Sequence, residues 1–121
     1  MLKKSEFSLC YHKGKRYFSA NFVFFVLESG LETWRLGLSV SRKIGGATRR
    51  NRVKRLLREF FRLNQAHLPS GLDMVAVPKK GLDPLRLSYG LVEQELFPLL
   101  TGLFKHYGQK RDRPALPDRT T

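Results

Sequence analysis

The residues of this chain whose types suggest a chemistry are cations, and six of them lie within ten positions. They are Arg49, Arg50, Arg52, Lys54, Arg55 and Arg58. Side chains of one sign at this density repel one another unless an anion neutralises them. The simplest such partner is a polyanion whose phosphates lie against the segment. The segment is therefore a candidate binding surface.

The same segment has the hydrophobic period of an amphipathic helix, which we expect from Thr48 to about Ala66. The spacing i, i+3, i+4, i+7 gives an apolar stripe that must face the core; it consists of Val53, Leu56, Leu57 and Phe60. The opposite side repeats the spacing with polar and basic residues, called here the basic stripe: Asn51, Lys54, Arg55, Arg58 and Arg62. One side of the helix thus packs and the other is free to bind.

A solvated helix face is the alternative interpretation of the basic stripe. Such faces usually pair Glu with Lys at i, i+4, each pair stabilising the helix by about 0.2–0.5 kcal/mol. This helix instead places Lys54 beside Arg58 and Arg58 beside Arg62, with Glu59 the only acid nearby. The absence of compensating acids favours binding over solvation.

The start of the helix lacks the residues that usually stabilise a helix N-terminus. Thr48 is the expected N-cap, but Asn51 stands where a capping box has Glu or Gln. Arg49, Arg50 and Arg52 then occupy the first turn, where the helix dipole disfavours each cation by about 0.3–1 kcal/mol. A bound phosphate would remove this conflict.

The overall composition agrees with a polyanionic partner. The 121 residues include 23 Lys and Arg against 10 Asp and Glu, for a net charge of +13, which suits nucleic acid or an anionic membrane. No membrane partner is expected, because no apolar run approaches the roughly 18 residues of a spanning helix and MLKKSEF lacks a signal-peptide region. A lone cysteine, Cys10, fits a reducing compartment, so we expect a cytoplasmic location.

The rest of the chain predicts a single RNA-binding domain over residues 1–107. A helix from Lys3 to Lys13 is ended by Gly14. Three strands follow in the chain, at 17–27, 34–41 and 72–77. A last helix from Ser88 to about Tyr107 has a core stripe of Val92, Leu96, Leu99 and Leu103, with a kink or break at Pro98. Residues 108–121 have no periodicity and are expected to be a disordered basic tail.

The strand at 17–27 is apolar on both faces in its second half. One face carries Phe22, Phe24 and Val26, and the other carries Val23, Phe25 and Leu27. The strand at 34–41 turns Leu36, Leu38 and Val40 inward and Arg35, Gly37, Ser39 and Ser41 outward. Small outward residues beside aromatic neighbours leave a shallow trough, to be filled by a packed helix or by a ligand.

No residues are arranged for catalysis or metal binding. Carboxylates are too few and too widely spread to gather divalent metals, and His12, His67 and His106 are far apart in the sequence. There is no Gly-rich phosphate loop and no metal-ligand spacing. The chain is therefore interpreted as a nucleic-acid binder whose catalysis, if any, comes from its partner.

The segment RNRVKRLLRE at 50–59 resembles the signature of the bacterial ribonuclease P protein subunit. The preceding LGLSVSRKIGGATR at 36–49 is similar to that family too, and a weaker likeness extends over about residues 2–104. The resemblance implies an α+β fold, a compact two-layer α/β sandwich in the order α-β-β-(β)-α-β-α. It also implies a mixed sheet of about four strands with a left-handed βαβ crossover around the basic helix.

The function implied by the resemblance is assistance to an RNA catalyst. A large RNA with bound Mg²⁺ removes the 5′ leader of precursor tRNA by hydrolysis, and the protein contributes no catalytic residue. By matching position, the face toward the catalytic RNA comprises Arg42, Lys43, Arg50, Asn51, Arg52, Lys54, Arg55 and Arg58, and Arg62 extends it along the basic stripe.

The resemblance also assigns a cleft for the single-stranded leader to Phe7, Tyr11 and Phe25, where unpaired bases would stack. The alternative is that all three are core residues.

Two other protein classes stay open. A structural RNA-binding protein, such as a small ribosomal protein, shares the charge but lacks the cleft. A helix-turn-helix DNA reader needs a second helix after a tight turn, whereas strands flank this basic helix, so no DNA partner is expected.

Overall fold

The structure, a computed structural model, describes residues 2–108. Their elements, in chain order, are α1 Lys4–Lys13, β1 Lys15–Phe18, β2 Phe22–Glu28, β3 Arg35–Leu38, α2 Ala47–Leu63, β4 Leu72–Pro78 and α3 Tyr89–Leu103. Short 3-10 turns occupy Arg42–Ile44 and Gln65–His67, and a π-helical turn at Phe104–Gly108 follows α3. The predicted α+β class and element order are confirmed. Beyond Gly108, the predicted tail lies outside the described residues.

The four strands form one mixed sheet in the order β1-β2-β4-β3. β2 runs antiparallel to both β1 and β4, whereas β3 runs parallel to β4. Because β3 and β4 are joined through α2, these three elements form a βαβ unit around the basic helix. The left-handed sense of that crossover stays a prediction.

The two faces of the sheet are covered by different helices. On one face, Phe22, Phe24 and Val26 of β2 join α2 and α3 in the main core, as the alternation predicted. On the other face, Phe25 of β2 packs with α1 in a smaller cluster that contains Cys10. Within residues 2–108, the second face is therefore covered by one helix of ten residues.

The prediction of one continuous strand at 17–27 was wrong. The chain turns back after Phe18, and β1 and β2 form a hairpin in which Phe18 pairs with Val23. The turn is held from outside by Glu95 of α3, whose carboxylate accepts hydrogen bonds from the main-chain N–H of Asn21 at 2.6 Å and its Nδ2 at 2.8 Å. The Ser19 hydroxyl donates to the same carboxylate. A partner 74 positions away thus sets this turn.

The basic helix begins one residue earlier than predicted. Gly46, not Thr48, is its N-cap, and no side chain caps the first turn. The predicted apolar stripe is confirmed, because Val53, Leu56, Leu57 and Phe60 are all buried, and Phe61 is buried beside them. α2 ends at Leu63 rather than at Ala66, where Asn64 turns its Nδ2 back to the carbonyl of Phe60 at 2.8 Å.

The last helix starts as predicted, with the Ser88 hydroxyl accepting from the N–H of Leu91 at 3.3 Å. It passes through Pro98 without a break and continues to Leu103. Proline removes one helical hydrogen bond, but Gln94 and Pro98 are both exposed, so water can satisfy the freed Gln94 carbonyl. Leu100 is buried, where the prediction had Leu99, which is partly buried.

Gly14 ends α1, as predicted, but for a different reason. Its φ is −73°, which any residue adopts, so no left-handed backbone is required. A Cβ at this position would lie 2.5 Å from the carbonyl oxygen of Cys10 and 3.1 Å from that of Val26. Glycine is needed because a side chain here would collide with the last turn of α1 and also press against β2.

Candidate nucleic-acid interface

The basic stripe lies on the outer side of α2, because the apolar stripe fixes the rotation of the helix. Asn51, Arg55, Arg58 and Arg62 are exposed, and Lys54 is half-buried. Within residues 2–108, none of Lys54, Arg55 and Arg58 forms an ion pair with an acidic side chain. The stripe is therefore a row of cations whose charges the described residues do not neutralise.

Arg62, at the end of the basic stripe, has a local partner. Its Nη2 lies 2.9 Å from Oε2 of Glu59, one helical turn back, and both side chains are largely exposed. Exposed pairs of this kind contribute about 0–1 kcal/mol because water screens them. Arg62 therefore remains able to exchange Glu59 for a phosphate.

Two predicted RNA-facing arginines differ from the stripe. Arg52 points toward the loop before α3, where its Nε donates to the carbonyl of Pro84 at 3.1 Å and its Nη2 to that of Leu87 at 2.6 Å. Arg50 is half-buried, and its Nε is buried with no hydrogen-bond partner among residues 2–108. Arg52 thus links α2 to the loop before α3. A role of Arg50 or Arg52 in RNA binding stays a prediction.

The loop before α2 presents the other two predicted cations. Ile44 is buried and anchors the 3-10 turn, whereas Arg42 and Lys43, which precede it in the turn, are exposed. Gly45 has φ 149°, a left-handed value that favours glycine, and a Cβ there would lie 2.9 Å from Cδ of Arg49. Arg42 and Lys43 therefore shortly precede the uncapped first turn of α2, which contains Arg49.

Of the three residues predicted for the leader cleft, Tyr11 and Phe25 are in direct contact. Their ring centroids lie 4.4 Å apart with an interplanar angle of 30°. Tyr11 is 47% exposed, whereas Phe25 is 9% exposed and packs in the smaller cluster. Tyr11 therefore supplies the accessible aromatic surface, and Phe25 supports it from the sheet.

Phe7 fills the trough that the sequence predicted along β3. A Cβ on Gly37 would lie 2.6 Å from Cζ of Phe7, so only glycine leaves room for this ring. Phe7 is half-buried and packs on the cluster that contains Leu2 and Phe25. A packed helix, one of the two predicted occupants, thus fills the trough at this point. The leader-binding role of the three aromatic residues stays a prediction.

An ion-pair cluster that the sequence analysis missed fastens α1 to the sheet. Arg35 of β3 binds Asp73 of β4 with two parallel hydrogen bonds, Nε to Oδ1 and Nη2 to Oδ2, both 2.8 Å long. Its Nη1 also donates to Oε2 of Glu6 on α1 at 2.6 Å. We call Glu6, Arg35 and Asp73 the α1 clamp. The sequence feature that could have revealed this cluster is Asp73, because an acid inside the apolar strand LDMVAV requires a buried partner.

The α1 clamp perturbs the protonation of its members. The main-chain N–H of Lys3 donates to Glu6 at 2.6 Å and, with Arg35, lowers the pKa of this carboxyl below 4.5. The paired carboxylates raise the pKa of Arg35, so it stays charged. Beside the clamp, burial and the Asp73 charge raise the pKa of Cys10 to about 11. The Cys10 thiol therefore stays protonated at neutral pH and donates to the carbonyl of Phe25 at 3.2 Å.

The described residues offer few other kinds of site. Among residues 2–108, no three His, Cys, Asp or Glu side chains are grouped as metal ligands would be. In the same range no helix combines the length and the apolar character needed to cross a membrane. In the sequence α2 lies between β3 and β4, so it is not the second helix of a helix-turn-helix.

Comparison with known proteins identifies the family. The family model described as Ribonuclease P matches residues 1–103. The ribonuclease P protein component of Oleidesulfovibrio alaskensis is 51% identical over 102 residues, covering 83% of this chain and 82% of that protein. The solved RNase P protein of Thermotoga maritima has a TM-score of 0.78 and 36% identity, covering 84% of this chain and 94% of that one. The chain therefore belongs to the ribonuclease P family, as the protein component of this tRNA-processing endoribonuclease.

Proposed function

We propose that the basic stripe and the loop before α2 bind the catalytic RNA of ribonuclease P. The observation that carries this proposal is the row of Lys54, Arg55 and Arg58, which face outward without acidic partners among the described residues. A phosphate at the start of α2 would accept from its uncapped N–H groups and from the nearby arginines. The unfavourable placement of cations at that end would then be offset by the bound anion.

On the other face of the sheet, we propose that Tyr11 holds the 5′ leader of precursor tRNA. Single-stranded RNA is commonly bound by stacking its bases on aromatic side chains, and the Tyr11 ring is accessible and supported by Phe25. Because α1 and α2 cover opposite faces, the leader and the catalytic RNA would contact different surfaces. The protein would add contacts to the leader of the substrate while the RNA performs the reaction.

The chemistry of cleavage is assigned to the partner RNA in this proposal. Mg²⁺ held by the RNA would supply metal-assisted hydrolysis, and the protein would act by placing the leader and by neutralising phosphates. A cytoplasmic location is part of the same proposal, and the lone Cys10, buried and protonated, suits a reducing compartment.

The experiment that tests this function is reconstitution with the catalytic RNA. At modest Mg²⁺ concentration, adding the protein should speed cleavage of precursor tRNA, and the protein alone should cleave nothing. No acceleration, together with no binding of the RNA, would favour a structural RNA-binding protein instead. Cleavage by the protein alone would place catalytic residues on this chain and contradict the proposal.

Replacing Tyr11 with Ala should weaken the holoenzyme's binding of precursor tRNA about tenfold and leave binding of mature tRNA unchanged. One lost base stack of about 1–3 kcal/mol accounts for a change of this size. Tyr11→Phe should bind like the unchanged protein, because stacking requires the ring and not the hydroxyl. The measurement is a titration of holoenzyme with both tRNA forms.

Leu9 provides a matched control for Tyr11. It lies on the same helix and is 49% exposed, but the two positions are about 200° apart around the helix axis. Leu9→Ala should leave the affinity for precursor tRNA unchanged. An equal loss for Leu9→Ala, or an equal loss for mature tRNA, would contradict the assignment of the cleft.

A further inference from the structure

A cavity of about 380 Å³ lies between the C-terminal half of α2 and the start of β3. Its size falls within the range of small-ligand sites, about 300–1,000 Å³. Trp34 and Phe61 contribute its aromatic lining, and Arg58 and Arg62 contribute cations. Among residues 2–108, β3 is an edge strand of the sheet, and no further strand of that range pairs with it on this side.

The aromatic residues that line the cavity are supported by the main core. The Trp34 and Phe61 ring centroids lie 6.4 Å apart, and Phe61 in turn contacts Phe24 of the main core, with ring centroids 6.1 Å apart. Trp34 is half-buried, so part of its indole remains accessible. The cavity therefore includes a supported aromatic surface of the type on which bases stack.

The cations at the cavity differ in their availability. Arg35 also lines the space, but its guanidinium is committed to Asp73 and Glu6 of the α1 clamp. Arg58 has no ion pair within residues 2–108, and Arg62 has only its exposed pair with Glu59. Two arginines next to an accessible indole suit a ligand that has both a flat ring and an anionic group. A nucleotide is such a ligand.

We propose that an unpaired nucleotide of the catalytic RNA inserts its base beside Trp34, with its phosphate at Arg58 and Arg62. The proposal rests on the proposed function, because these arginines belong to the basic stripe and an RNA lying along the stripe reaches the cavity directly. The leader cleft is excluded as the source, since Tyr11 lies on the other face of the sheet. The site would fix where the RNA strand leaves α2.

The chain contains its own probe, because Trp34 is its only tryptophan. Titration of the full-length protein with catalytic RNA should quench Trp34 fluorescence until one RNA is bound per protein. Inorganic polyphosphate, which has charge but no bases, should bind the stripe and leave the emission unchanged. A single-stranded leader oligonucleotide should also leave it unchanged. Quenching by polyphosphate to the same extent would overturn the proposal.

Trp34→Leu should weaken catalytic-RNA binding about tenfold, the loss expected for one stacked base. Leu retains apolar packing on Phe61, and circular dichroism checks that the variant is folded. If it does not fold, the fluorescence titration of the unchanged protein decides alone. Unchanged emission on RNA binding overturns the nucleotide site while the proposed function stands. If the unchanged protein does not bind the RNA, the proposed function fails as well.

Discussion

Replacing Arg55 and Arg58 together with Ala should weaken binding of the catalytic RNA about a hundredfold. Two charge-assisted contacts of about 1.5 kcal/mol each account for the loss. Each phosphate contact also contributes about 0.7–0.9 to the slope of log affinity against log salt, so the slope should become shallower by about 1.4–1.8. The measurement is a binding titration at several salt concentrations.

The control for this variant removes the same charge elsewhere. Arg86 has an 88% exposed side chain and Lys105 is exposed near the end of α3, and neither belongs to the basic stripe. Their double Ala variant should lose little affinity. An equal loss in the control would mean that net charge drives binding rather than this face of α2. Unchanged affinity and slope in the Arg55 and Arg58 variant would remove the stripe from the interface.

Asp73→Asn should lower the free energy of unfolding by about 2–3 kcal/mol, because it leaves Arg35 without its main partner. The Asp73 side chain is only 6% exposed, and it accepts both parallel hydrogen bonds of Arg35. The expected loss is smaller than the roughly 3–5 kcal/mol for breaking a fully buried pair, since water still reaches a quarter of the Arg35 side chain. Urea denaturation followed by circular dichroism measures the change.

A double variant separates the unpaired charge from other effects at this site. Arg35→Met with Asp73→Leu removes both charges and should recover most of the lost stability, because apolar pairs often replace buried ion pairs at little cost. No recovery would show that packing, rather than charge, sets the effect of Asp73→Asn. We also expect the double variant to lose leader binding, since Glu6 no longer fastens α1.

The surface that we assign to the catalytic RNA was predictable because its pattern is local. Residues three or four apart on a helix share a side, so the spacing of Val53, Leu56 and Leu57 determines where Arg55 and Arg58 point. The structure confirms this helix and its buried side. The resemblance of RNRVKRLLRE to ribonuclease P proteins rests on the same residues, and the family was confirmed.

The errors of the sequence analysis fall where distant residues meet. The hairpin turn at Ser19 and Asn21 depends on Glu95, which no local pattern connects to it. The sequence likewise did not indicate that two carbonyls of the loop before α3 accept hydrogen bonds from the Arg52 guanidinium. Hydrogen-bonding groups separated by tens of residues have no periodicity that would reveal them.

The sequence by itself determined the basic helix, the core-facing side of β2 and the family of the protein, because short-range periodicity and motif spacing encode them. Only the tertiary structure decided that Glu6, Arg35 and Asp73 fasten α1 over the sheet and that Trp34 borders the end of the basic stripe. These groups come from separate elements, and the packing of a mixed sheet between helices is what brings them within contact distance.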